Sequence, residues 1–126
     1  MARMKILLTD DEESVRTLVA LTIKSDGRYD LLQAKDGVEA LEVAAKELPD
    51  LILLDVLMPH KDGLEVCTRL KADPQTKHIP IILLTALAQE KDKLKGQRAG
   101  ADGYFSKPFS PTALLTKIDE VLSCGK

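Results

Sequence analysis

The chain is 126 residues long, 44% hydrophobic and 30% charged, proportions that suit one globular domain with a sizeable core. Its 18 basic side chains stand against 20 acidic ones for a net charge of -2, which excludes bulk electrostatic attraction to nucleic acid or to an anionic membrane. No apolar stretch approaches a membrane span, no cleavable signal pattern precedes the first strand, and Cys67 and Cys124 fit neither metal spacing nor a disulfide framework, so a reducing cytoplasm is the expected location.

Strand and helix alternate five times along the chain. Lys5–Leu8 reads as a strand, followed by a helix from Glu12 to Ser25 with Val15, Leu18, Val19 and Thr22 on one face and Gly27 closing it. Tyr29–Ala34 is a second, less continuous strand, expected at a sheet edge. Asp36, with Glu39 three residues on, forms a capping pair that opens a helix over Gly37–Glu47, and Pro49 ends it. Leu51–Asp55 is a third strand with no polar residue before the aspartate. After a loop holding Pro59 and Gly63, a helix from Leu64 to Ala72 stops at Asp73-Pro74. Ile81–Thr85 is the fourth strand, 90–99 a helix ending at Gly100, and Gly103–Ser106 a short fifth strand. Ser110 and Pro111 supply the N-cap and first helical position of the last helix.

The third and fourth strands are apolar up to their last residue, which requires cover on both faces. Alternating units of this kind predict an α/β fold, a five-stranded doubly wound parallel sheet of flavodoxin-like order 2-1-3-4-5 with five helices, residues 1–126 forming a single domain. The winding reverses between strands 1 and 3, and ligands of such sheets bind there, beyond the carboxyl ends. Asp10 and Asp11 follow strand 1, Asp55 ends strand 3, Thr85 ends strand 4 and Lys107 follows strand 5. All are carried to the same edge.

Three crowded carboxylates repel, and one must hold a proton unless a cation intervenes. A hard divalent ion resolves this, and Mg²⁺ fits because it uses one or two carboxylates and keeps positions for water and phosphate. The expected set is Asp11 and Asp55 as direct ligands, Asp10 through water, and the backbone carbonyl of Leu57. Taken singly, each residue has a plainer role. Asp10 and Asp11 suit helix capping, Thr85 is an ordinary β-branched strand residue, and Lys107 before Pro108 suits a solvated turn. Their coincidence at successive strand ends favours a site. An aspartate can serve as the nucleophile of phosphoryl transfer, and a phosphoryl group on Asp55 would carry about two negative charges. Mg²⁺, the Lys107 ammonium and the Thr85 hydroxyl would take its oxygens, helped by the N–H of Ala86.

Thr9-Asp10-Asp11-Glu12, Leu53 to Pro59, Asp62-Gly63, Thr85-Ala86 and Gly100 to Phe109 together resemble the receiver domain of two-component response regulators, the CheY-like family, over essentially the whole chain. The resemblance implies that Asp55 accepts phosphate from a phosphohistidine on a sensor histidine kinase or a phosphotransfer protein, with Mg²⁺ on the acidic pair. It implies a cis Lys107-Pro108 bond, an isomer accessible before proline. It also implies a switch in which Thr85 moves toward the phosphate and Tyr104 turns inward, so that the face formed by the fourth helix, fifth strand and last helix is read by a partner. A half-buried edge-strand aromatic is the plainer role for Tyr104.

Departures from the family pattern sharpen the expectations. Lys93, Asp102 and Lys117 match the charges through which some members dimerise, but Gly103 and Ala113 stand where acids are usual, so a monomer or weak dimer is expected. Leu57 and Leu87, two residues after Asp55 and Thr85, cannot orient an attacking water, and slow self-dephosphorylation follows. The family places kinase contact near Ser14, Val15, Leu18 and Val19. His60 and His78 have no partner at ligand spacing, and Lys91, Lys93, Lys95 and Arg98 read as a solvated face.

Three rival functions are weaker. A Mg²⁺-dependent phosphatase with an aspartate nucleophile needs an acid where Leu57 stands. A flavin or nucleotide binder needs a Gly- or Ser/Thr-rich loop where Asp-Asp-Glu-Glu stands. A docking module that is never phosphorylated has no use for the complete site. The downstream partner is expected to be an effector protein or an output domain on a longer chain, with no direct nucleic-acid binding by this domain and no membrane.

Overall fold

β1 (Met4–Thr9), β2 (Tyr29–Ala34), β3 (Leu51–Asp55), β4 (Ile81–Thr85) and β5 (Gly103–Ser106) pair in parallel in the order β2-β1-β3-β4-β5. The structure is a computed structural model that describes residues 4–56, 63–85, 94, 97–106 and 110–124, with Thr85, Ser106, Ser123 and Cys124 by their backbone alone. The predicted order holds, with β2 at one edge. Four helices stand among the described residues: α1 (Glu13–Asp26), α2 (Gly37–Glu47), α3 (Gly63–Ala72) and α4 (Pro111–Cys124). Of the helix expected over 90–99, Leu94, Gln97 and Arg98 are helical and Ala99 lies in a turn; 90–93, 95 and 96 lie outside the described residues.

The strand sequences explain the layers. Leu7, Ile52, Leu54, Ile81 and Leu83 point to one side, where Ala40 and Ala44 of α2 and Val66, Cys67 and Leu70 of α3 cover them. Ile6, Leu8, Leu51, Leu53, Ile82 and Leu84 point to the other, beneath Val19 and Ile23 of α1 and Leu114 and Ile118 of α4. Each fully buried aliphatic side chain contributes about 2 kcal/mol relative to exposure. The central strands are apolar on both faces because both faces are packed.

The capping expectations hold. Asp36 accepts the Glu39 N–H at 2.9 Å, and Ser110 Oγ accepts the Ala113 N–H at 3.3 Å. Gly27 closes α1 at φ 78°, its N–H bonded to the Ile23 carbonyl. The face assigned to α1 needs correction. Val19 and Ile23 are its buried residues and Val15 is half-buried, whereas Leu18 is 41% exposed. Leu18 and Leu21 lie on the solvent side, because the face with residues four apart, 15, 19 and 23, is the one that meets the sheet.

The amino edge of the sheet is tied by three aspartates at strand entrances. Asp50 accepts the Lys5 N–H at 2.7 Å and returns its own N–H to the Lys5 carbonyl at 2.8 Å. Asp102 Oδ2 accepts the Ile81 N–H at 2.9 Å and Lys71 Nζ at 2.8 Å, and Lys71 Nζ also reaches the Ile79 carbonyl at 2.8 Å. Asp119 of α4 accepts the Tyr29 hydroxyl at 2.5 Å and Arg28 Nη2 at 2.9 Å, with the Arg28 guanidinium 5.2 Å from the Tyr29 ring centre. Hydrogen bonds to Asp26 and then Asp119 raise the Arg28 pKa. Burial works to raise the Asp119 carboxyl, but bonds from Tyr29 and Arg28 outweigh it and leave it below its ordinary value.

Burial first, and then the bond to Asp119, push the Tyr29 phenol from 10.0 up to about 12. The folded chain therefore holds this proton more tightly than the unfolded chain, and the resulting stabilisation is complete below pH 10 and lost as pH rises to about 12. Tyr29→Phe is expected to flatten the alkaline fall in stability, measured by urea unfolding at neutral pH and across the alkaline range. An equally steep fall in the variant would show that Tyr29 is not its cause.

Candidate functional site

β1 delivers Asp10 fully buried, its Oδ1 accepting the Glu12 N–H at 2.9 Å. This bond is a local turn ahead of α1 and not the helix cap weighed from sequence, since the N-cap residue is Glu12 and no side chain caps the helix. One carboxylate oxygen from each of Asp10, Asp11 and Asp55 lies within 4.8 Å of the other two. Asp55 closes β3 at 4% exposure, and Asp11 is exposed. The strand order explains the meeting, since β1 and β3 are neighbours on either side of the winding reversal.

Backbone geometry holds Asp55 from behind. The next residue, Val56, donates its N–H to the Leu84 carbonyl at 3.0 Å and accepts the Gly63 N–H at 2.9 Å. Gly63 opens α3 so close to β3 that a Cβ there would overlap the Asp55 carbonyl oxygen and stand 2.8 Å from Val56 Cα. Only a residue without a side chain permits this approach.

At this separation each ionised pair repels by about 3 kcal/mol for an effective dielectric constant of about 20. Three such pairs favour a cation strongly, and an all-oxygen donor set with one member open to water suits a hard divalent ion. The cluster can hold a metal, as the sequence predicts.

The other predicted residues are placed in part. Thr85 ends β4 in register with Ser106, and its neighbour Leu84 pairs with Asp55, so its backbone reaches the same edge. Its side chain, and Leu57, Ala86, Leu87, Lys107 and Pro108, lie outside the described residues. Tyr104 pairs with Leu83 and is half-buried against the core cluster shared with α2 and α3. Asp102, which matches one of the charges of the family's dimer face, is exposed and accepts Lys71 Nζ and the Ile81 N–H. Lys117 Cε would stand 3.3 Å from a Cβ at Gly103, and Lys93 is outside the described residues. His78 lines a cleft at the opposite edge with Asp50 and Asp102, and His60 is outside the described residues. Cys67 is buried, and burial pushes its thiol up to about 11, which makes it inert.

Two residues escaped the sequence reading. Lys71 bonds backbone carbonyls, which leaves no pattern in a sequence. Arg16 donates from Nη1 to the Asp10 carbonyl at 2.7 Å. Its one sequence signal is its position, since a cation near the start of a helix opposes the helix dipole.

A family model described as the response regulator receiver domain matches residues 6–119. The alkaline phosphatase synthesis transcriptional regulatory protein PhoP of Bacillus subtilis is 47% identical over 118 residues, which are 94% of this chain and 48% of PhoP. The phosphate regulon transcriptional regulatory protein PhoB of Pseudomonas aeruginosa is 43% identical over 117 residues, 93% of this chain and 51% of PhoB. This chain thus spans about half the length of these relatives. The structure of the Vibrio cholerae chemotaxis protein CheY4 superposes with a TM-score of 0.90 at 38% identity, covering 95% of this chain and 99% of CheY4.

Proposed function

Because the chain belongs to the response regulator receiver family, we propose that Asp55 is its phosphoacceptor, taking a phosphoryl group from the phosphohistidine of a sensor histidine kinase or phosphotransfer protein. An Asp55 carboxylate oxygen attacks phosphorus as the phosphorus–nitrogen bond breaks. The imidazole leaves with the electron pair of that bond and takes up a proton. Asp11 and Asp55, with Asp10 through water and the Leu57 carbonyl, would hold Mg²⁺, which would supply positive charge to offset that on the phosphoryl oxygens. Lys107, the Thr85 hydroxyl and the Ala86 N–H receive the remaining oxygens. The observation that carries this function is the meeting of three carboxylates within 4.8 Å at the carboxyl edge, where the fold places its ligands.

The product is a switch rather than a turnover enzyme. The phosphoryl group, with about two negative charges where the Asp55 carboxylate had one, biases Thr85 and Tyr104 toward a second arrangement, which an effector protein or an attached output domain reads. The PhoP and PhoB names point to transcription as the output of a longer chain. Gly103 and Ala113, which leave the dimer charge pattern short of acids, support a monomer or weak dimer. Among the described residues no helix is long and apolar enough to cross a membrane. A cytoplasmic site of action accords with a kinase donor.

Intact-mass spectrometry after incubation with acetyl phosphate tests the function. One Mg²⁺-dependent phosphoryl adduct is expected on the wild type and none on Asp55→Asn. A folded, Mg²⁺-binding wild type with no adduct would favour the docking module instead. The adduct is also expected to decay slowly, and rapid phosphate loss would remove the role given to Leu57 and Leu87.

A further inference from the structure

Asp11 is the exposed member of the acidic cluster and makes no hydrogen bond of its own among the described residues. Its carboxylate therefore goes where the backbone of residues 10–12 sends it. The opening main-chain bond of α1 holds that backbone after Asp11, and the side chain of Arg16 holds it before. Its guanidinium Nη1 donates to the Asp10 carbonyl at 2.7 Å, and its own N–H donates to the Glu12 carbonyl at 3.1 Å. A peptide unit is planar, so fixing the Asp10 carbonyl fixes the plane from which Asp11 departs. The Glu12 N–H, bonded to Asp10 Oδ1 at 2.9 Å, pins the exit from Asp11.

On the footing of the proposed Mg²⁺ site, we infer that Arg16 is a positioning residue that presets the Asp11 carboxylate for the metal. A backbone carbonyl held by a guanidinium is a strong, charge-assisted bond, and no carboxylate is used up in making it. A cation in this place would be unhelpful if it acted by charge alone, because its field opposes the arrival of a second cation. Charge and position thus have opposite signs. Removing Arg16 tightens Mg²⁺ binding if charge dominates and weakens it if the backbone clamp dominates. Residues that orient metal ligands typically change affinity tenfold or more, which sets the size of the effect.

The test is titration of the full chain with MgCl₂, followed by amide chemical shifts, with thermal melts of every variant taken without Mg²⁺. Arg16→Met is expected to weaken Mg²⁺ binding about tenfold. Arg16→Lys, which keeps one N–H donor for one carbonyl, is expected to stay within about threefold of the wild type. In an Asp11→Asn background the Arg16→Met change is expected to have less than about a twofold effect, because the ligand it positions is gone. A merely structural role would lower the melt and leave that coupling absent. Unchanged or tighter binding in Arg16→Met overturns the inference, and so does an equal loss in the Asp11→Asn background. If Arg16→Met does not fold, Arg16→Gln decides. Its neutral donor should hold affinity within about threefold, and tightening would assign the effect to charge. A wild type that forms the phosphoryl adduct yet shows no Arg16 effect defeats the clamp alone, whereas a wild type that binds no Mg²⁺ defeats the metal site itself.

Discussion

Gly63→Ala is expected to destabilise the protein by about 3 kcal/mol, the upper range for overpacking a rigid site. For a chain of this size that lowers the melting temperature by roughly 10 °C. The cause is contact with backbone rather than with a side chain that can turn away. A methyl group at residue 63 would overlap the Asp55 carbonyl oxygen and press on Val56 Cα at 2.8 Å. Relief requires α3 to move off β3, which breaks the bond from the Gly63 N–H to the Val56 carbonyl at 2.9 Å. The same movement disturbs the peptide behind Asp55, so the phosphoryl adduct should form more slowly in whatever fraction folds. Differential scanning calorimetry measures the first effect and intact mass the second. A melting temperature within about 2 °C of the wild type would mean that α3 accommodates the methyl freely.

Asp11→Asn is expected to weaken Mg²⁺ binding by at least tenfold and, without Mg²⁺, to stabilise the protein. Asp11 makes no hydrogen bond among the described residues that the change would remove, and it repels two other carboxylates within 4.8 Å. Because Asp11 is exposed, the net gain is about 1 kcal/mol rather than the gross repulsion, and salt should shrink it. Mg²⁺ works the other way on the wild type. At ten times its Kd a ligand that binds only the folded state adds about 1.4 kcal/mol, an increment the variant should lack. Melts of both proteins with and without MgCl₂, at matched ionic strength, resolve the two effects. A variant less stable than the wild type without Mg²⁺ would show that the cluster is not under repulsion.

The acidic cluster was legible because its residues end or follow strongly apolar strands. Leu51–Asp55 and Ile81–Thr85 have the predicted bounds, and those bounds alone carry Asp55 and Thr85 to one edge. The Asp36 capping pair likewise marks the start of α2 where the structure has it. The buried face of α1 was harder to read. Val15, Leu18, Val19, Leu21 and Ile23 are all apolar, so periodicity admits more than one face, and only packing on the sheet selects Val19 and Ile23 over Leu18. Arg16, Lys71 and Asp119 were not legible as partners at all. They bond to carbonyls or to residues as far as 91 positions away, and nothing in a local pattern records such a choice.

Asp50, Asp102 and Asp119 tie the entrances of the strands, while Asp10, Asp11 and Asp55 crowd the exits. The sheet therefore has a sewn hem at one end and a charged one at the other. Fastenings at the amino edge depend on none of the three carboxylates at the other, so substitutions among Asp10, Asp11 and Asp55 should leave those ties in place. Chemistry gathered at one rim and fastening gathered at the other can then be altered one at a time.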